Sequence, residues 1–167
     1  MKQHYTSADT SINRDKLPAI YRKLQKRGIL QGTVLDFGCG KYTAHIAEYC
    51  AENGAKYHGV DKYNQTEDKN LEEIVYCATH GTDIVICSNV LNVIDSVEEI
   101  DIILKLLPGF GRTFITVYEG DKTRKGKQTG KDQYQRNEPL KAYVERAKNL
   151  GLNVTARNGI IEIAPRT

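Results

Sequence analysis

The sequence predicts an α/β domain: a doubly wound, mostly parallel sheet with helices on both faces and a C-terminal antiparallel hairpin. Three observations carry that prediction. Thr33, Val34, Leu35 and Phe37 form a β-branched and apolar run, as in a buried parallel strand. Gly38 and Gly40 break the run, and Lys41 to Cys50 follows with Ala44, Ile46, Ala47 and Cys50 at helical spacing. Strand, glycine turn and helix together open a nucleotide-binding βαβ unit. A second strand-like run, Tyr57 to Val60, ends in an acid, Asp61, 25 residues after Asp36. At the far end, Leu152 to Ala156 and Ile160 to Ala164 flank Arg157-Asn158-Gly159, a hairpin turn.

Length and composition bound the rest. The 167 residues are enough for one domain with a sizeable core, taken here as 1–167. No apolar run marks an export signal or a membrane span. Cys39, Cys50, Cys77 and Cys87 show no close pairing, so free thiols in a reducing cytoplasm are expected. The four histidines are scattered, and no metal-ligand spacing appears. The net charge of +3 hides an asymmetry. Residues 1–31 carry seven Lys/Arg and two acids, residues 32–120 six and fourteen, and residues 121–148 nine and four. Basic flanks around an acidic centre fit a cationic ligand in the centre and an anionic partner at the rim; solvated helix faces are the alternative.

The remaining elements follow in order. Met1 to Asp9 is polar, either loosely held or folded over something. A helix with Leu17, Ile20, Tyr21 and Leu24 on one face starts near Asp15 or Lys16, with Pro18 in its first turn, and stops before Gly28. Lys62 to Gly81 has room for one short helix, about Asn70 to Thr79, with Leu71, Ile74 and Val75 as its apolar face. A third strand unit does not fit there and is reduced or missing. Asp83 to Cys87 is a central strand. Asp95 and Ser96 cap a helix through Leu107, and Thr113 to Tyr118 is the next strand. Lys122 to Lys131 is a basic loop. Asn137 and Pro139 start a helix that Gly151 stops.

The glycine turn distinguishes two ligand types. A dinucleotide fingerprint wants a third glycine at position 43, where this chain has Thr43. Asp36, at the strand end, would repel a pyrophosphate. S-adenosylmethionine (SAM) has no phosphate and carries an ammonium and a sulfonium, which an acid beside the turn suits. Val34-Leu35-Asp36-Phe37-Gly38-Cys39-Gly40 resembles the first motif of class I (Rossmann-fold) SAM-dependent methyltransferases. The resemblance implies a cofactor site of Asp36, Phe37, Gly38, Cys39 and Gly40, with Asp61 on the ribose hydroxyls and Lys62 beside it. It adds Ser88, Asn89 and Val90 after the central strand. It also places Ser11, Asn13 and Arg14 near the methionine end, where Arg14 could pair with the carboxylate. The family's adenine-contacting acid has no counterpart that can be located.

Where nucleic-acid amino methyltransferases carry an Asp/Asn-Pro-Pro-aromatic motif, this chain has Ser88-Asn89-Val90-Leu91. That argues against methylation of an exocyclic base nitrogen by their mechanism. By location, Glu119 and Asp121 are candidate bases, and Tyr118 could orient an acceptor. Asn92, Gln133, Tyr134, Arg136 and Asn137 are the acceptor-pocket candidates, the last four within an acceptor loop over 121–137. The Tyr118-Glu119-Gly120 segment, with the basic loop and Gln-rich stretch after it, is similar to small phage-type or mobile-element methyltransferases. The acceptor expected is a nucleic acid or a phosphorylated small molecule. A SAM-binding module without transfer activity and a SAM-cleaving enzyme on the same scaffold are the other readings.

Overall fold

The chain is described by a computed structural model covering residues 3–10 and 14–167. Alternation along the strands builds its core. In β1 (Gly32–Phe37), Val34 faces one side of the sheet and Leu35 the other. In β3 (Ile84–Ser88), Ile84 and Ile86 oppose Val85 and Cys87 in the same way. Side chains of successive strand residues point to opposite faces, so each strand feeds two apolar layers.

The main sheet has the order β2-β1-β3-β4-β8-β7. β2 (Ala55–Val60), β1, β3 and β4 (Arg112–Thr116) run parallel. β8 (Ile160–Ile163) and β7 (Val154–Arg157) close the edge antiparallel. Asn158 and Gly159, both at positive φ, form the hairpin turn between them. α1 (Ala19–Lys26) and α2 (Ala44–Glu52) cover the face of Val34 and Ile86, burying Ile20, Tyr21, Leu24, Ile46 and Cys50. α3 (Glu67–His80), α4 (Val97–Leu106) and α5 (Leu140–Asn149) supply Cys77, Ile100, Leu104, Tyr143 and Ala147 to the other face. Each fully buried Leu or Ile contributes about 1.5–3 kcal/mol. Among the described residues no strand lies between β2 and β3, so α3 alone makes that crossover.

Several boundaries differ from the expectation. α1 starts at Ala19 with Pro18 as its N-cap, because a residue preceding proline is driven out of the helical region. α3 is longer than expected, capped by the Thr66 hydroxyl, which accepts from the Lys69 amide. Its expected apolar face is only partly its buried face: Ile74 packs against the core, but Leu71 is 62 % and Val75 50 % exposed, while Cys77 is buried. The missing strand unit leaves that flank without the layer that would cover it. The basic loop contains a two-stranded hairpin, β5 (Lys127–Gly130) and β6 (Gln133–Gln135). Asn137 sits at φ 57 and does not cap α5; Pro139 occupies the N-cap position.

Among the described residues no helix is long and apolar enough to cross a membrane. All four cysteines are buried free thiols.

Candidate active site

The order of the sheet reverses between β1 and β3, and ligands of open α/β sheets bind outside the carboxyl ends at such a point. There the first turn meets the loop after β3. Gly38, at φ 77, lies so close to Val90 that a Cβ would sit 2.4 Å from Val90 Cγ2. Its amide donates to Val60 O at 2.8 Å, which ties the turn to the end of β2.

Two acids sit beneath this turn. Asp36 is 3 % exposed, and its Oδ2 accepts from the hydroxyls of Tyr21 at 2.7 Å and Tyr57 at 2.8 Å. Burial pushes its pKa up to about 6 against the pull of the two hydroxyls, and Asp61 adds to the rise. Asp61 is 9 % exposed and anchors the loops around it. Its Oδ2 accepts from the Gly40 amide at 2.8 Å, and its Oδ1 from the amides of Tyr63 and Asn64, both at 2.9 Å. Burial, followed by the charge of Asp36, raises the Cys39 thiol, so it stays protonated. Two buried acids at the turn, Asp36 held by tyrosine hydroxyls and Asp61 by backbone amides, fit a cationic group better than a pyrophosphate.

The other expected cofactor residues are distributed around the same mouth. Phe37 packs into the core, and Lys62 is exposed with its Nζ 5.4 Å from the Tyr63 ring centroid. Ser88 Oγ lies 3.2 Å from Thr116 Oγ1, and Asn89 is exposed at φ 56. Arg14 stacks 5.4 Å from the Tyr42 ring centroid, two residues beyond Gly40. Ser11 and Asn13 lie outside the described residues.

The acceptor side is built from β4's end and β6. Tyr118 is 63 % exposed. Glu119 Oε2 accepts the Leu140 amide at 2.8 Å, capping α5, while Oε1 stands 3.5 Å from Lys122 Nζ. Asp121 is exposed and accepts from the Thr123 amide and hydroxyl, which lower its pKa. Gln133 is half-buried in β6, and Tyr134 stacks on Tyr5 with centroids 5.5 Å apart. Arg136 is 8 % exposed: it pairs with Glu138 and donates to the carbonyls of Ile94 and Asp95. Asn137, 3 % exposed, donates to Lys125 O. Asn92 is buried and donates to Gln135, a residue the sequence reading passed over. Gln135 stood unmarked within a polar run; its burial between Asn92 and Tyr118 is a tertiary fact.

An N-terminal strap, residues 4–9, crosses these loops. His4 pairs with Asp95, Thr6 and Ser7 donate to Asp132, Ser7 Oγ donates to Val93 O, and Lys41 pairs with Asp9. Residues 4–9 are thus folded over the mouth of the sheet. No group of three or more His, Cys, Asp or Glu among the described residues could hold a metal ion.

An open α/β sheet with an acid-bearing glycine turn at its switch point defines the class, and comparison with known proteins specifies it. A family model described as Methyltransferase domain matches residues 10–156, and the chain belongs to that family. The sugar N-methyltransferase KedS8 from a Streptoalloteichus species has a similar fold. Its TM-score is 0.54 at 13 % sequence identity, over 89 % of this chain and 86 % of that one. No curated protein matches the chain.

Proposed function

We propose that the protein is a SAM-dependent methyltransferase that binds the cofactor at Asp36–Gly40 and Asp61 and modifies an anionic acceptor. The supporting observation is the pair of buried acids at the glycine turn, Asp36 and Asp61, in a chain of the methyltransferase family. In this reading Phe37, Gly38, Cys39 and Gly40 form the cradle, Asp61 faces the ribose, and Lys62, Ser88, Asn89, Val90 and Arg14 complete the wall. Bound SAM supplies a methyl group on a sulfonium, already an excellent leaving group. The chain's task is to hold acceptor and methyl in line.

Tyr118 and Asp121 border the acceptor. Glu119 is the candidate base through Oε1, since Oε2 is held by the α5 cap. Asn92, Gln133, Tyr134, Arg136 and Asn137 form or support the pocket. Lys122, Arg124, Lys125, Lys127 and Lys131 crowd the hairpin segment beside it, a fit for the phosphates of a nucleic acid or of a phosphorylated small molecule. S-adenosylhomocysteine is the product that remains bound. The Tyr118-Glu119-Gly120 segment with its basic loop supports a small phage-type or mobile-element member, and the free thiols a cytoplasmic setting.

The test is incubation with methyl-labelled SAM and fractionated cell extract. Label entering nucleic acid or phosphorylated small molecules supports the reading. Label entering only neutral molecules removes the anionic acceptor, and methyl release without any acceptor points to SAM cleavage.

A further inference from the structure

A chain of buried amides joins the ends of β3 and β4, and its polarity is fixed. Tyr118 O is a carbonyl and can only accept; it receives Gln135 Nε2 at 3.0 Å. That turns Gln135 Oε1 the other way, where it accepts from Asn92 Nδ2 at 3.3 Å. Asn92 Oδ1 is therefore the free end. Asn92 is 3 % exposed, and Oδ1 has no hydrogen-bond partner among the described residues. Reversing Asn92 alone would set two amide oxygens against each other. Reversing both amides would set Gln135 Oε1 against Tyr118 O. A buried carbonyl oxygen without a donor is costly and marks a place for one. The Arg136 amide holds the Asn92 carbonyl at 2.9 Å, so the segment is fixed from its backbone as well.

We infer that Asn92 Oδ1 reads the methyl acceptor, and that the acceptor presents an aliphatic amine to it. This rests on the methyltransferase reading. An amide oxygen accepts a hydrogen bond and takes up no proton. An aliphatic amine suits such a partner: it releases one proton to solvent beforehand, keeps an N–H on Oδ1, and has its lone pair directed by that bond. The lone pair forms the N–CH3 bond, the S–CH3 bond breaks with its electrons on sulfur, and the nitrogen's surplus proton leaves to solvent. A hydroxyl keeps its proton until attack and needs a base at this atom. A conjugated base nitrogen is disfavoured because the chain has Ser88-Asn89-Val90-Leu91 where its methyltransferases carry their motif. The strap, through Ser7 bonded to Val93 O and Tyr134 N, closes over this segment, so an acceptor reaches the enclosed Oδ1 only with the strap displaced.

The experiment uses the full chain, methyl-labelled SAM and one bacterial cell extract in two portions, one with its amines acetylated in water by acetic anhydride. The expected result is incorporation from the untreated portion and at least tenfold less from the acetylated one. Asn92→Leu is expected to lose incorporation at least thirtyfold with SAM affinity within twofold of the parent. Gln135→Met, which leaves Asn92 in place but frees its orientation, lowers incorporation more at limiting amounts of the untreated extract than at saturating amounts. Equal incorporation into the acetylated portion overturns the proposal, as does an Asn92→Leu protein that folds and transfers normally. If Asn92→Leu fails to fold, Gln135→Met and the acetylation comparison decide. SAM binding with no incorporation from the untreated portion overturns the methyl-transfer reading itself.

Discussion

The Tyr21 hydroxyl donates to the Asp36 carboxylate at 2.7 Å, joining α1 to the acid that precedes the glycine turn. Tyr57 donates to the same oxygen at 2.8 Å from β2. Among the described residues Asp36 thus has two neutral donors and no cation bonded to it, and burial dominates its titration.

The pH dependence follows from that arrangement. The folded pKa, about 6, lies above the ordinary 3.8, so the native state holds this proton more tightly than the unfolded chain. The associated stability is fully present below about pH 4 and is lost as pH rises to about 6. The loss is about 3 kcal/mol. Asp36→Asn should lack this fall, so denaturant melts of parent and variant should diverge between pH 4 and 6 and run parallel above 7. Parallel curves throughout would show that Asp36 titrates normally. A cationic ligand favours the ionised acid, so SAM affinity of the parent should rise through pH 6 and that of Asp36→Asn should not.

Asp61 links the glycine turn to the loop after β2 through Gly40, Tyr63 and Asn64. Asp61→Ala should weaken SAM binding by about 1.5–3 kcal/mol, the range for hydrogen bonds to a charged group. Calorimetry reads this directly, and parent-like affinity would remove the ribose assignment. Far-UV circular dichroism should show the fold retained.

Glu119 tests whether a base is used. Gln at this position keeps an oxygen for the Leu140 amide, so Glu119→Gln should melt close to the parent. Glu119→Ala should lose the cap and about 0.5–2 kcal/mol of stability. If Oε1 removes a proton in the transition state, Glu119→Gln should transfer methyl about 100-fold more slowly. Unchanged transfer would leave the cap as its role.

The basic segment can be tested without knowing the acceptor. Replacing Lys122, Arg124, Lys125 and Lys127 with serine should leave SAM affinity near the parent value. Binding to short RNA, DNA or nucleotides should drop and its salt dependence flatten. A parent protein that binds none of these at low salt contradicts an anionic acceptor.

The parts of the fold written in local signals were legible in the sequence. The turn at Gly38 and Gly40, the Asn158-Gly159 hairpin and the Ser96 cap each depend on a few adjacent residues. The shortened segment between Asp61 and Asp83 exposed the missing strand unit by length alone. What escaped depends on distant residues. Leu71 and Val75 look like a core face until one knows that no further layer covers α3. Asn92 stood out as polar among apolar neighbours, but its partner Gln135 lies 43 residues away. Arg136 also holds its segment in place: its guanidinium pairs with Glu138 and donates to the carbonyls of Ile94 and Asp95, 42 and 41 residues away.

The most direct measurement is calorimetric titration of the protein with SAM, S-adenosylhomocysteine and NAD at pH 7.5. The account predicts saturable binding of SAM and S-adenosylhomocysteine with one site per chain and no heat from NAD. Binding of NAD without SAM, or of neither, would contradict it.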